Sequence, residues 1–583
     1  GAWSGHGQRP DDRIRSAIAS MRSRGGLMVL VTGRILSELR DAFPDVEDHV
    51  DAIVAENGCV LWTPRGVRLL ADPAGPELAE GVTARGIDVR AGDVLLAGSA
   101  FDRRIILEEI HGRGLDCQLV FNRSELMVLP SGINKATGLY EALGDLGVSR
   151  HSTVGLGDAE NDRALLDTCE AGVAVANSVP TLLAFADRVA PEPGASAVTE
   201  LIDDLFTSAS APVHSRRRQL RIGTGPNNAP ARVPSSQINM LIFGAPGNGK
   251  SHLAGLCAER LISLGYCLLV VDPEGDHQGL GALRGVVVIQ VANGSPSPRR
   301  VAARFSQRFM SVVLDLSPMH PDARHGYLES LAEAVDDSRS RCGLPHWIVA
   351  DEAQANILDL RANSALFGGN AETGRWGMCL ATHKPELIDQ ASLTKMDAVV
   401  AVGPIPDGDG RAFALLSHVS GRDAADIQAE ALSVGRGDAY LAQSASLGGS
   451  GPFHIASRVT EHHRHWHRYT DGAIPDHHRF YFLDDRDHVV AIARNLRQFR
   501  DLLDTVPHHS ITHHAQRHDF SHWLSEVLSD HAMAVQTEAV EEQIRAGEVN
   551  ENAGRNELVD LRRRTHGVRG ERSCPGAGTR LNQ

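Results

Sequence analysis

The residues best suited to chemistry form one uninterrupted stretch, Gly244-Ala-Pro-Gly-Asn-Gly-Lys-Ser251, directly after the apolar run Met240 to Phe243 and before a helical stretch starting at His252. Strand, glycine loop and helix in this order make a phosphate cradle. Glycines let backbone N–H groups turn inward, a lysine brings a point charge to the β- and γ-phosphates, and a serine hydroxyl ligates Mg2+. Gly244, Gly247, Asn248, Gly249, Lys250 and Ser251 are therefore the candidate ATP contacts, and Ser251 is also a candidate metal ligand. Lys250 is one of only four lysines, with Lys135, Lys384 and Lys395, so its place in the motif carries weight. Further along, Trp347-Ile-Val-Ala-Asp351-Glu352 is an apolar strand ending in two acids. Asp351 would join the Mg2+ shell and Glu352 would orient or deprotonate the attacking water. The run Phe309 to Asp315 is a rival for this part, but it offers one carboxylate followed by Leu316.

The elements that must position these groups are legible as alternating short apolar runs and stretches of helical period, the pattern of α/β units around a parallel sheet. From Pro10 to Leu205, Ile14, Ala17, Ile18 and Met21 share one helical face, and Leu27 to Val31, Leu119 to Phe121, Thr153 to Leu156 and Gly172 to Ala176 are strand candidates. A stretch rich in Ser, Pro, Gly, Asn and Arg follows, which makes 206–235 a linker. A second α/β region covers 236–445, a His-rich connector 446–477, and a small α+β unit 478–536. The segment 547–583 is polar and rich in Arg and Gly, the composition of a disordered tail.

Composition sets outer limits. The 583 residues allow several domains, 42% hydrophobic residues suffice for ordinary cores, and no apolar run reaches the roughly 18 residues of a membrane span. A formal charge of −15 gives no global attraction to nucleic acid, so such contact needs a local basic surface. Eight cysteines stand singly without CxxC spacing, which fits a reducing cytoplasm.

The phosphate loop, the segment Leu268-Leu-Val-Val-Asp-Pro-Glu-Gly-Asp276, the Asp351-Glu-Ala-Gln354 element and the strand Gly377-Met-Cys-Leu-Ala-Thr-His-Lys-Pro385 together resemble the HerA/FtsK branch of P-loop ATPases. The resemblance implies ATP hydrolysis, assembly as a homo-oligomeric ring, and a nucleic-acid or protein cargo. It also implies a polar sensor on the last strand, where Thr382 or His383 stands, and an arginine from a neighbouring subunit, for which Arg375 is a candidate.

In the first region, Leu30-Val-Thr32-Gly-Arg34, Asn134-Lys135 after Leu129-Pro-Ser-Gly132, and Gly157-Asp158-Ala-Glu-Asn-Asp162 occur in the order of motifs II, III and IV of the haloacid dehalogenase superfamily. Ala55-Glu-Asn-Gly58 resembles its capped sugar-phosphatase branch. The resemblance implies a Rossmannoid domain over 1–205 with a cap at about 75–128. Thr32 would bond the phosphoryl group, Lys135 would neutralise it, and Asp158 and Asp162 would bind Mg2+. The superfamily's first motif is a strand ending in DxDGT, yet Gly1 to Pro10 holds no apolar run and no acid. Either that strand lies upstream of Gly1, or the domain is a binding scaffold.

In the carboxy-terminal part, His462, His463, His465 and His467 match no zinc spacing, and Phe480, Phe482, Phe520 and Trp523 are expected in a core rather than on a base-stacking platform. The leading expectation is a cytoplasmic ATP hydrolase behind a phosphatase-like domain. The alternatives are a Mg2+-dependent phosphatase of small phosphorylated metabolites with a regulatory ATPase domain, and a nucleotide-sensing interaction protein.

Overall fold

The computed structural model of the protein describes residues 12–73, 76–122, 124–206, 214–353, 377–387, 393–406, 408–460, 479–527, 531–547, 553–556 and 558. Two compact units divide the chain, Gly1–His462 and His463–Gln583. No helix among the described residues is long and apolar enough to cross a membrane, and the seven described cysteines are free thiols.

The first unit begins with helix Asp12–Ser23, whose Ile14, Ala17, Ile18 and Met21 are buried beside Ile202. Burying one such isoleucine contributes about 2 kcal/mol. Strands β1 (Val29–Val31), β2 (Ala52–Ala55), β3 (Val60–Thr63) and β4 (Gly66–Leu69) form one sheet in sequence order, with β1 and β2 parallel. A separate antiparallel sheet, ordered β5-β6-β8-β7, joins β5 (Arg90–Ala91), β6 (Leu96–Ser99), β7 (Cys117–Asn122) and β8 (Glu125–Pro130). Strands β9 (Val154–Gly157), β10 (Ala171–Ala174) and β11 (Arg188–Val189) make a third sheet, parallel throughout. Among the described residues no strand joins β1 to β9.

An eleven-stranded sheet follows. It takes in β12 (Gln219–Thr224), β13 (Pro230–Pro234), β14 (Asn239–Phe243), β15 (Leu268–Asp272), β16 (Val286–Gln290) and β17 (Ser311–Asp315). It continues through β18 (Trp347–Ala350), β19 (Gly377–Thr382), β20 (Ala398–Val402), β21 (Asp438–Gln443) and β22 (Gly451–Ile455). The order is β13-β12-β22-β21-β20-β14-β19-β18-β15-β17-β16, parallel from β20 to β16 and antiparallel at the other edge. Strands β12, β13 and β22 correct the expected linker and connector. Leu220, Ile222 and Val233 turn inward on the hairpin while arginines alternate outward, and the polar composition of that edge conceals its strands.

The linker expectation fails for a second reason: the chain around 215–218 fastens the two halves of the unit. Arg217 donates to Asp167 and Asp187 at 2.8 and 2.7 Å, and Arg218 to the carbonyls of Asp167 and Glu170 at 2.7 and 3.0 Å. Beside them, His151 stacks on Tyr266 with centroids 3.8 Å apart, and His346 meets both rings edge-on. Glu170 receives His151 Nδ1 at 2.7 Å, the Tyr266 hydroxyl at 2.9 Å and the Ser236 hydroxyl. His151, Glu170, Tyr266 and His346 stand just before the amino ends of β9, β10, β15 and β18.

In the second unit, β23 (Phe480–Leu483) and β24 (Val489–Ala493) form a hairpin packed on four helices. Phe480, Phe482, Phe520 and Trp523 are buried; Phe480 stacks on Phe520, and Phe499 on Trp523, so these aromatics are core. This core extends beyond 536 through helix His531–Ala546 to Leu558, 3% exposed, and Arg555 donates to the carbonyls of Asp504 and Val506. The expected tail therefore starts too early, because the contacts that order 553–558 are made to residues about fifty positions back. The His462–His467 cluster and Arg375 lie outside the described residues.

Candidate functional site

At the carboxyl end of β14 the chain turns tightly against β20. A Cβ on Gly244 would stand 2.3 Å from the Val402 carbonyl oxygen, and Gly249 enters helix Lys250–Ser263 at φ 103, in the left-handed region that glycine adopts freely. Asn248 Nδ2 donates to the Val402 carbonyl at 3.1 Å. Lys250 is 4% exposed, and its Nζ folds back over the loop to the Ala245 carbonyl at 3.2 Å. The loop thus gathers Gly244, Gly247, Asn248, Gly249, Lys250 and Ser251 at one helix amino end, a geometry that favours phosphate.

Between β14 and β18 lies one strand, β19, in parallel register with both. Asp351 is thereby brought beside the loop, and the Ser251 side chain hydrogen-bonds its carboxylate. Asp315 ends β17, two strands further away, and its carboxylate already accepts from Gln278, Gln290 and the Ser317 N–H at 2.8, 3.0 and 2.9 Å. Strand order therefore favours Asp351 over its rival. Two hard oxygens, from Ser251 and Asp351, fit a Mg2+ that takes its remaining ligands from water and phosphate.

Behind them His277, which no sequence motif marked, joins Asp272 and Asp276 of the segment 268–276. His277 Nε2 lies 2.9 Å from Asp351 Oδ2, both fully buried or nearly so. Burial alone would depress the His277 pKa; the bond to Asp351 and the carboxylates of Asp272 and Asp276 outweigh it and raise it. Burial would likewise raise Asp351, but His277 holds it below the usual carboxylate range. Asp272 accepts the N–H groups of Gly275, Asp276 and His277, and burial pushes Asp276 up to about 8. Glu352 has φ 44, and its carboxylate faces His383 Nδ1 at 3.2 Å. Thr382 is buried opposite Phe243 at the end of β19, where its hydroxyl accepts the Lys384 N–H at 3.0 Å.

The amino-terminal constellation also assembles. Thr32 follows β1 and its Oγ1 accepts the Arg34 N–H at 3.1 Å. Asn134 caps helix Lys135–Leu146, accepting from the N–H groups of Ala136 and Thr137, which fixes Lys135 at the first turn. Lys135, 6% exposed, reaches Asp162 Oδ1 at 2.5 Å and Asn161 Oδ1 at 3.2 Å. Asp162 Oδ2 accepts the N–H groups of Asp158 and Ala159 at 2.9 and 3.0 Å. Burial would raise the Asp162 pKa, but Lys135 and these backbone donors lower it. Asp162, one of the two acids expected at Mg2+, has both oxygens hydrogen-bonded, to Lys135 and to the loop. Among the described residues no group of three or more His, Cys, Asp or Glu could hold a metal ion without ligands from water or phosphate.

Where β1 and β9 fail to pair, a cavity of about 1160 Å3 runs between them. Thr32, Lys135 and Asp158 stand at one end, apolar residues such as Leu139 and Leu201 flank it, and Ser340 to Gly343 close it. Glu56, fully buried, accepts the N–H groups of Asp93, Val94 and Leu95 and ties the loop after β2 to the β5–β8 sheet. That role was invisible in sequence because the partners lie 37 to 39 positions away.

Comparison with known proteins gives two family matches, haloacid dehalogenase-like hydrolase over residues 119–202 and helicase HerA, central domain, over residues 236–360. The chain is 33% identical over 164 residues to the phosphoglycolate phosphatase of Natronomonas pharaonis, covering 26% of this chain and 72% of that enzyme. It is 34% identical over 110 residues, 19% of this chain, to phosphoglycolate phosphatase 2 of Saccharolobus solfataricus, and it spans 44% of that enzyme's length. The solved sucrose-phosphatase from Synechocystis covers 34% of this chain and 92% of its own, at 17% identity and a TM-score of 0.28.

Proposed function

The chain belongs to the haloacid dehalogenase-like hydrolases through its amino-terminal part, and with a HerA-type central domain behind that part we propose that it is an ATP hydrolase carrying a phosphatase-like binding domain. The observation that carries this reading is the placement of Asp351 one strand from the phosphate loop, with Ser251 hydrogen-bonded to it. Ser251 and Asp351 would hold Mg2+, which supplies charge neutralisation at the β- and γ-phosphate oxygens. Lys250 exchanges the Ala245 carbonyl for those phosphates. Glu352, held by His383, aligns and deprotonates water, and Thr382 senses the γ-phosphate from the end of β19. The resemblance to ring-forming ATPases supports a homo-oligomer acting on a nucleic-acid or protein cargo in the cytoplasm.

Lys250→Ala should abolish tight ATP binding, because the triphosphate loses the charge that offsets its own. Glu352→Gln should keep nucleotide and lower turnover by about a hundredfold, within the range that general-base loss produces. Unchanged steady-state turnover in Glu352→Gln would overturn the assignment.

A second reading, hydrolysis of a small phosphorylated metabolite, is favoured by the assembled Thr32, Lys135 and Asp158 and by the cavity beside them. The phosphoglycolate phosphatases among its relatives suggest a phosphate ester that also bears a carboxylate. Thr32 and Lys135 would hold the phosphoryl group of such a ligand.

A further inference from the structure

Beyond β22 the chain crosses the outer side of helix Lys250–Ser263, the helix that begins at the phosphate loop. The Ala456 carbonyl lies 3.2 Å from His252 Nε2. Two turns on, Glu259 is 2% exposed, a costly place for a carboxylate unless its lone pairs are used. They are: Glu259 accepts the Val459 N–H at 3.0 Å, the Thr460 N–H at 2.8 Å and the Thr460 hydroxyl at 2.8 Å. Between these two anchors Arg458 presses onto Gly255, where an added Cβ would stand 2.2 Å from its Nη1. Arg458 Nη2 donates to the Thr460 hydroxyl at 3.0 Å. Burial lowers the Arg458 pKa, while the carboxylates of Glu259, Asp276, Asp351 and Asp272 oppose that shift.

We propose that residues 456–460 are a strap across the phosphate-loop helix, and that Arg458 is a positioning residue of the ATP centre. Gly255 leaves the room that lets the guanidinium lie against the helix, and Glu259 fixes the backbone of Val459 and of Thr460, the partner of Arg458. Held between the His252 and Glu259 anchors, Arg458 steadies the helix whose first turn carries Lys250 and Ser251. The inference rests on residues 244–251 being the ATP site.

The test uses the full chain, a fluorescent ATP analogue with Mg2+, and thermal unfolding of each variant. Lys250→Ala checks the site itself: if it binds nucleotide as tightly as the parent, the ATP reading fails, and this inference with it. With that control passed, Arg458→Met should weaken Mg2+-ATP binding about tenfold, and Arg458→Lys, which keeps the charge, should stay within about threefold. Gly255→Ala separates positioning from stability. An alanine stabilises a helix interior by about 1 kcal/mol relative to glycine, yet here it displaces the guanidinium. Weaker binding at an equal or higher melting temperature is expected. Binding that is unchanged in both Arg458→Met and Gly255→Ala, or that falls only in step with melting temperature, would overturn the proposal.

Discussion

His277 and Asp351, 74 positions apart in sequence, share a hydrogen bond of 2.9 Å beneath the phosphate loop, so the loop after β15 sets the orientation of the carboxylate that ends β18. Removing one partner of a buried pair costs about 3 to 5 kcal/mol, since the other is left unpaired. His277→Ala should therefore lower the melting temperature and raise the Mg2+ concentration needed for half-maximal ATP turnover. Equal Mg2+ dependence in variant and parent would show that Asp351 needs no such support.

Assembly offers a second measurement. If subunits complete one another's sites, as the resemblance to ring-forming ATPases implies, specific ATP turnover should rise with protein concentration as subunits associate. Constant specific activity over a wide dilution series, with a monomeric mass by light scattering, would refute a working oligomer.

The amino-terminal centre should show negligible hydrolysis of p-nitrophenyl phosphate or sugar phosphates, measured on the full chain carrying Lys250→Ala. Addition of a strand ending in DxDGT ahead of Gly1 should restore it, because Thr32, Lys135 and Asp158 all line the cavity between β1 and β9. Mg2+-dependent activity in the unextended chain that Asp158→Asn abolishes would mean that another acid attacks phosphorus, with Asp11 or Asp12 the first to replace.

Acid should loosen the junction of the two halves of the first unit. Burial depresses the His346 pKa to about 3 and also lowers that of His151. The His346 ring stays neutral in the fold and His151 takes up a proton less readily than in the unfolded chain, which does so near pH 6.5. Their contribution is full above that pH and is lost as pH falls, by about 1.4 kcal/mol per pH unit for His346. Glu170, whose burial is outweighed by its bonds to His151 and Ser236 so that its pKa is lowered, adds a loss of the same sign only below about 4.5. Melting temperature should drop between pH 7 and 5.5, less steeply in His346→Asn, whose amide can accept from Cys267 without titrating. Equal slopes would remove His346 from the acid response.

What could be read along the chain was local: the glycine loop, the acids closing β18, and the Asn134 cap with Lys135 are contiguous motifs whose spacing states their chemistry. What could not be read was contact at a distance. Glu259 meets Thr460 across 201 positions and Glu170 meets Tyr266 across 96, and nothing in either neighbourhood announces the partner. The strands of 206–235 were hidden for another reason, since an edge hairpin with arginines outward has the composition of a loop. Asp162 illustrates a third: its motif identified an acid, but only the fold shows that Lys135 and two backbone donors occupy it.

The junction at His151, Glu170, Tyr266 and His346 joins the amino ends of β9 and β10 to those of β15 and β18, whereas both reactive ends lie at the carboxyl termini. At about 3.3 Å per residue, Asp158 is up to roughly 23 Å along the chain from His151, and Asp351 up to roughly 16 Å from His346. Both constellations therefore lie at the strand ends remote from the ring stack that joins the two halves of the unit.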